Sequence, residues 1–192
     1  MGKLILASQS PRRQKLLHRI GIDDFSILIP HADESYDPSL SPQEIVCHIS
    51  AVKAEAAAKL AAEDDIVITA DTMVFLDEER LGKPHNEEEA FSMLRRLSGR
   101  EHTVCTGVTV RRGQETITQA ETTLVRFRPL TDSEIRAYIR TGEPMDKAGA
   151  YGIQDRGALL VEGITGDYFN VMGLPVLRLA RMLSHFGMNL MG

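Results

Sequence analysis

Ile66-Val67-Ile68-Thr69-Ala70-Asp71-Thr72-Met73-Val74-Phe75-Leu76 is a run of β-branched and large apolar residues interrupted by a single acid. Its composition suits a central strand, and Asp77-Glu78-Glu79-Arg80 supplies a polar turn to end it. An acid within such a run carries a desolvation cost unless it reaches a cleft, a metal or hydrogen-bond donors. Asp71 is therefore the most informative residue of the chain. A plainer role, an Asp at a strand bend accepting backbone N–H bonds, stays open at this point.

Upstream of that strand, Ile45, Ile49, Val52, Ala56 and Leu60 recur at spacings of four, three, four and four, which predicts an amphipathic helix from Pro42 to Glu63. Lys53 borders the apolar stripe and either offers its ammonium to an anionic ligand or snorkels to solvent. A polar stretch from Pro30 to Pro42 carries Asp33, Glu34 and Asp37 on a loop, and Phe25 to Ile29 is a strand candidate. Leu4 to Ala7 reads as a short buried strand. Ser10 then caps a helix with Pro11 at its first position, running through Leu16, Leu17 and Ile20 to a Gly21 stop. Ser8, Ser10, Arg12 and Arg13 so gather at a helix start, where free N–H groups favour an anion; an ordinary cap with two solvated arginines is the alternative.

Downstream, a Gly82-Lys83-Pro84 loop leads to a helix from about Asn86 to Leu97, with Ala90, Met93, Leu94 and Leu97 on one face. Residues 101–112 and 115–128 form a predicted hairpin around Arg112-Gly113-Gln114. Thr131 caps a helix through Ile135, Tyr138 and Ile139 to Gly142. The glycine-rich Lys147-Ala148-Gly149-Ala150-Tyr151-Gly152 either lets backbone N–H groups approach a ligand or forms a tight turn. A strand over Ala158 to Val161, a loop to Asn170 and a closing helix from about Leu174 to Phe186 complete the expectation. The class is mixed α/β, a twisted sheet with flanking helices. No internal repeat or linker divides residues 1–192, although the hairpin could belong to a second lobe, with the cleft between lobes as the natural ligand site.

The 192 residues, 43% of them hydrophobic, suffice for a sizeable core. A net charge of −5 with 5% aromatic residues disfavours an RNA-binding module or a protein that tracks duplex nucleic acid. The longest apolar runs are far too short to span a bilayer, and the N-terminus lacks a signal-peptide pattern, so a soluble cytoplasmic protein is expected. Met1-Gly2 opens like a myristoylation motif, but Leu6 stands where that motif wants Ser or Thr. Cys47 and Cys105 match no zinc or redox spacing and are expected as small buried thiols without a disulfide. The six histidines show no ligand spacing, and no P-loop motif is present.

Leu6-Ala7-Ser8-Gln9-Ser10-Pro11-Arg12-Arg13 resembles the signature of the Maf family, and Ala70-Asp71-Thr72 with Gly82-Lys83-Pro84 resembles its second block. Leu97-Ser98-Gly99-Arg100 with Thr106-Gly107-Val108, Asp146 to Gln154, and Asn170-Val171-Met172-Gly173-Leu174-Pro175 are similar to its later motifs. The resemblance implies a two-lobed Maf/ITPase-like fold and a divalent-metal-dependent nucleoside triphosphate pyrophosphatase cutting between the α- and β-phosphorus atoms. It further implies nucleotide-pool housecleaning or restraint of septum formation. Asp71 would be the catalytic acceptor of the water proton; Ser8, Ser10, Arg13, Lys53, Lys83 and Lys147 would bind phosphates; Glu34 with Asp71 would hold Mg2+, Mn2+ or Co2+. Arg12, Thr72 and Gln154 match the residues that mark the dTTP/UTP branch, and Asp155 stands where a glycine or small residue often follows the glutamine. Competing expectations are a non-catalytic nucleotide sensor of cell division and an inosine-type purine pyrophosphatase. The expected partner is a nucleoside triphosphate, not nucleic acid or membrane, and homodimerisation is left open.

Overall fold

The computed structural model describes residues 2–192; Met1, and with it the Met1-Gly2 motif, lies outside the described residues. In chain order the elements are β1 (Leu4–Leu6), α1 (Pro11–Arg19), β2 (Ser26–Ile27), α2 (Pro42–Ala58), β3 (Ile66–Leu76), β4 (Glu79–Leu81) and α3 (Glu87–Leu97). After them come β5 (Glu101–Arg112), β6 (Glu115–Phe127), α4 (Asp132–Ile139), β7 (Val161–Thr165), α5 (Tyr168–Met172) and α6 (Val176–His185). The strands form one seven-stranded sheet in the order β2-β1-β3-β5-β6-β7, with β4 added beside β3. β1 runs parallel to both β2 and β3, whereas β4 on β3 and β7 on β6 are antiparallel, so the sheet is mixed as expected.

By contacts the chain divides into two compact units. The first takes the chain as far as Asp71 with Thr106–Glu121 and Gly173–Gly192; the second takes Thr72–Cys105 and Thr122–Met172. In the first unit, helix α2 is fixed to the sheet by a ladder of buried hydroxyls. Thr69 Oγ1 donates to Ser50 O at 2.6 Å, Ser50 Oγ meets Thr109 Oγ1 at 2.5 Å, and Thr109 Oγ1 meets Thr118 Oγ1 at 2.9 Å. Gly107 lets the helix come close, because a Cβ there would collide with the carbonyl oxygen of Val46. In the second unit, Val74, Leu76, Leu94, Leu97, Phe127 and Ile135 anchor a buried apolar core. The helix starts obey their sequence signals: Ser41 and Thr131 form capping boxes with Glu44 and Glu134, and Asn86 accepts from Glu89 N.

Several boundaries differ from expectation. Helix α2 stops at Ala58 and leaves Leu60 66% exposed, because Asp65 closes a turn by accepting from Ala62 N and Lys3 N. Only Ser26 and Ile27 of the Phe25–Ile29 run pair as a strand, and both are exposed. The predicted polar turn shrinks to Asp77 and Glu78, with Asp77 at φ 55, and releases Glu79–Leu81 as a strand. The strand expected over Ala158–Val161 begins at Val161 instead, since Asp155–Leu159 is a 3-10 turn. Gly157 leaves no room there for a side chain, since a Cβ would meet Gly152 O and the Tyr138 hydroxyl. Part of the expected loop before Asn170 is helix α5, started by Asp167 Oδ1 accepting from Phe169 N and Asn170 N. Cys105 is buried, but Cys47 is only half-buried; neither is in a disulfide.

Candidate active site

At the start of α1, Ser10 Oγ accepts from Arg13 N at 3.5 Å, and Pro11 follows as the first helical residue. Ser8 Oγ accepts from Ser10 N at 3.2 Å and from Arg13 Nη1 at 3.1 Å, so its own proton is the group left to donate. Arg13 Nε donates to Gly173 O at 2.8 Å. Two edges of the guanidinium are thereby fixed, one by the first loop of the chain and one by a carbonyl 160 residues later. Burial lowers the Arg13 pKa to about 10; Asp71 opposes that shift, neighbouring Arg12 adds to it, and Glu34 opposes it weakly. Arg13 stays charged at neutral pH. These arginines are not the solvated pair of an ordinary cap: both are half-buried.

Asp71 lies on β3 with its side chain 14% exposed, and its Oδ1 accepts from Lys53 Nζ at 2.9 Å. The same ammonium lies 3.2 Å from Glu34 Oε2 on the polar loop. Lys53 thus does not snorkel; α2 aims it inward, and Ser50, about one turn earlier, ties the helix to the hydroxyl ladder. The other carboxylate oxygen, Asp71 Oδ2, is buried and has no hydrogen-bond partner among the described residues. Leaving a buried acceptor unmade costs about 1–3 kcal/mol, so this atom is an open acceptor that the fold itself does not use. The strand-bend role, in which backbone N–H groups would satisfy Asp71, is not what the structure shows.

Among the described residues no three of His, Cys, Asp and Glu converge as a ready-made metal cage. Mg2+ and similar hard cations need only one or two carboxylates when water and substrate phosphates complete the shell. Glu34 and Asp71, joined through Lys53 and with Oδ2 unpartnered, fit that donor set.

In the second unit the Gly82-Lys83-Pro84 loop is tied to the glycine-rich segment by Gly149 N donating to Gly82 O at 3.0 Å, and Lys83 is exposed. Lys147 Nζ donates to Glu143 O at 2.6 Å and to Asp146 Oδ1 at 2.7 Å, so its charge is already engaged. Its methylenes pass beside Gly152, where Gln154 Oε1 also lies. That amide oxygen is buried without a partner among the described residues. Thr72, half-buried, follows Asp71 directly on β3. Asp155 adopts φ 58, which explains in backbone terms why glycine is at home after the glutamine.

Ser8, Ser10, Arg13, Glu34, Lys53 and Asp71 are thus one connected group within the first unit, and Lys147 with Gln154 are neighbours within the second. Sequence reasoning missed the Gly173 carbonyl, the hydroxyl ladder under Lys53, and the Tyr138 and Glu143 side chains around Gln154. Gly173 had a signal in its motif, and the others had none, because a buried Ser or Thr looks like any other before the fold is known.

A family model described as Maf-like protein matches residues 3–186. A dTTP/UTP pyrophosphatase of Symbiobacterium thermophilum is 51% identical over 97% of this chain and 95% of its own length. A dTTP/UTP pyrophosphatase of Bacillus velezensis is likewise 51% identical, over 96% of each chain. Among solved structures, the Staphylococcus aureus Ham1 protein aligns with 65% of this chain and 71% of its own at TM-score 0.43 and 18% identity, a likeness that adds nothing to the family assignment. With the motifs collinear and the match running from residue 3 to 186, the chain belongs to the Maf family.

Proposed function

We propose that this protein is a nucleoside triphosphate pyrophosphatase that hydrolyses dTTP and UTP to the nucleoside monophosphate and pyrophosphate. The activity carried by the names of its relatives supports this, and the observation that carries the chemistry is the unpartnered, buried Asp71 Oδ2. Lys53 holds Oδ1, which fixes the plane of the carboxylate and leaves Oδ2 to orient water and accept its proton. Arg13 and Lys53 supply fixed positive charge against the phosphates, Ser8 donates its hydroxyl, and the free N–H groups at the start of α1 add to them. Lys83 and Lys147 serve the phosphates as well; Lys147 exchanges Asp146, which is 66% exposed, for a phosphate oxygen at little cost. Glu34 and Asp71 would hold a divalent cation, Mg2+, Mn2+ or Co2+. When bound, such a cation neutralises phosphate charge and helps position the water.

Arg12, Thr72 and Gln154 set the choice of base. Uracil and thymine carry an N3–H donor, and Gln154 Oε1 is a buried acceptor that lacks one. Cytosine has no hydrogen on N3, so CTP is the poorer substrate. A buried acceptor left unpaired by the wrong ligand is a strong basis for rejection. No helix among the described residues is long and apolar enough to cross a membrane. We place the activity in the cytoplasm, in housecleaning of the nucleotide pool with restraint of septum formation as a consequence.

The test is product analysis of the purified protein with Mg2+ or Mn2+ and UTP, dTTP, CTP, inosine triphosphate and 7-methyl-GTP. Monophosphate and pyrophosphate from UTP and dTTP are expected. Preferred turnover of the inosine nucleotide would move the base assignment, and binding without turnover would make the protein a sensor.

A further inference from the structure

Gln154 sits on a segment whose backbone is tied down by two side chains that the catalytic scheme leaves unused. Glu143 accepts from Arg156 N at 3.4 Å and from Gly157 N at 3.3 Å, so its carboxylate binds the chain just after the glutamine. Tyr138 Oη accepts from Gly152 N at 3.2 Å, binding the chain just before it. The Glu143 charge also helps, after burial, to raise the Tyr138 pKa, so the two anchors are neighbours. Gly157 completes the clamp: a Cβ there would strike Gly152 O and Tyr138 Oη. Finally, the backbone carbonyl of Glu143 takes the Lys147 ammonium at 2.6 Å, and the Lys147 stem lies along Gly152 beside Gln154 Oε1.

We infer that Glu143 is a positioning residue for base selection: with Tyr138 it holds residues 152–157 so that Gln154 keeps its amide oxygen buried and unpartnered, ready for the N3–H of uracil or thymine. The assignment rests on the proposed role of Gln154. Two features favour it over a merely structural part. Glu143 is half-buried rather than sunk in the core, so apolar packing does not require it. Its acceptors are aimed at the two backbone N–H groups that come directly after Asp155, the strained φ 58 residue that follows Gln154. A backbone in that region holds only when its surroundings over-determine it. Without the carboxylate the segment relaxes, Gln154 finds a local partner, and the penalty that excludes cytosine is lost.

The test is a double-mutant cycle with Glu143→Gln and Gln154→Ala, reading kcat/KM for UTP and for CTP in each variant, with thermal unfolding as a control for folding. Glu143→Gln should lower the UTP-to-CTP ratio by about tenfold, mainly by raising KM for UTP while kcat changes little. Adding it to Gln154→Ala should lower the ratio no further. Tyr138→Phe, which keeps the ring and removes only the hydroxyl, should shift the ratio in the same direction and serves if Glu143→Gln folds poorly. If Gln154→Ala changes the ratio but Glu143→Gln and Tyr138→Phe do not, or if their effects add to it, the inference is overturned and the role of Gln154 survives. If Gln154→Ala leaves the ratio unchanged, both fail together.

Discussion

Asp71 and Gln154 each present one buried oxygen without a donor among the described residues, yet opposite means hold them. Asp71 is held by charge: Lys53 grips its other oxygen, and Glu34 and Arg13 complete an electrostatic group within the first unit. Gln154 is held by its backbone, through N–H groups at residues 152, 156 and 157 given to Tyr138 and Glu143 within the second. The difference matches the two tasks. A reaction that moves a proton and spreads charge over phosphates needs fixed charges nearby, whereas reading a neutral base edge needs only geometry. Damage to the first region should therefore appear in turnover, and damage to the second in selectivity.

The sharpest break of that contrast is Lys53→Met, which leaves Asp71 and Glu34 without their shared cation. Its kcat/KM for UTP should fall on the order of 1,000-fold with the UTP-to-CTP ratio preserved, both read from steady-state kinetics. A changed ratio at unchanged turnover would reverse the assignment of the two regions. The next effect lies under the selectivity segment. His102 Nε2 bonds Tyr151 Oη at 2.7 Å, and burial lowers the His102 pKa from 6.5 to about 4. The folded state so refuses a proton that the unfolded chain accepts below pH 6.5, and stability should decline from there down to about pH 4 and then level off. The loss is about 3 kcal/mol; a pH series of thermal unfolding for the parent and His102→Gln would show it largely absent in the variant. Gly107→Ala forces the first region instead, since the new methyl meets the Val46 carbonyl. We expect about 2 kcal/mol of destabilisation, read by urea unfolding, and a larger loss of turnover than of selectivity as α2 carries Lys53 away.

The smallest effect falls in α4, the helix that carries Tyr138. Hydrogen bonds from Arg128 first, then from the Thr131 backbone and hydroxyl, lower the Glu134 pKa from 4.5 to about 2. Because its folded pKa is depressed, Glu134 stabilises the fold above pH 4.5 and loses that effect as pH falls through about 2. Glu134→Gln should be modestly less stable than the parent at neutral pH, with the difference closing over that window in acid unfolding.

What was legible in the sequence follows the same physical divide. The β3 run and the acid within it pointed to Asp71, and helix periodicity set Lys53 on α2, because both signals are local. The family resemblance assigned Glu34, Lys53 and Asp71 to one site, and the contact that joins them, Lys53 Nζ at 2.9 Å from Asp71 and 3.2 Å from Glu34, had no signal in the sequence. The end of α2 was overrun because Leu60 continues the apolar spacing although the Asp65 turn has already claimed the backbone. Likewise, Ala158 to Val161 looked like a strand because the constraint against it comes from Glu143 and Tyr138, distant in sequence. Gly173 stood in a recognisable motif, but that its carbonyl orients Arg13 was not legible, since a backbone acceptor carries no residue signature.

The central claim is tested most directly by single-turnover pyrophosphate release from UTP with Asp71→Asn, alongside UTP binding to the same variant. Asparagine preserves the shape of the side chain and an acceptor for Lys53 but is no base. Release should fall on the order of 1,000-fold or more while UTP still binds within several-fold of the parent affinity. Release within tenfold of the parent would contradict Asp71 as the proton acceptor, and with it the catalytic reading of its unpartnered oxygen.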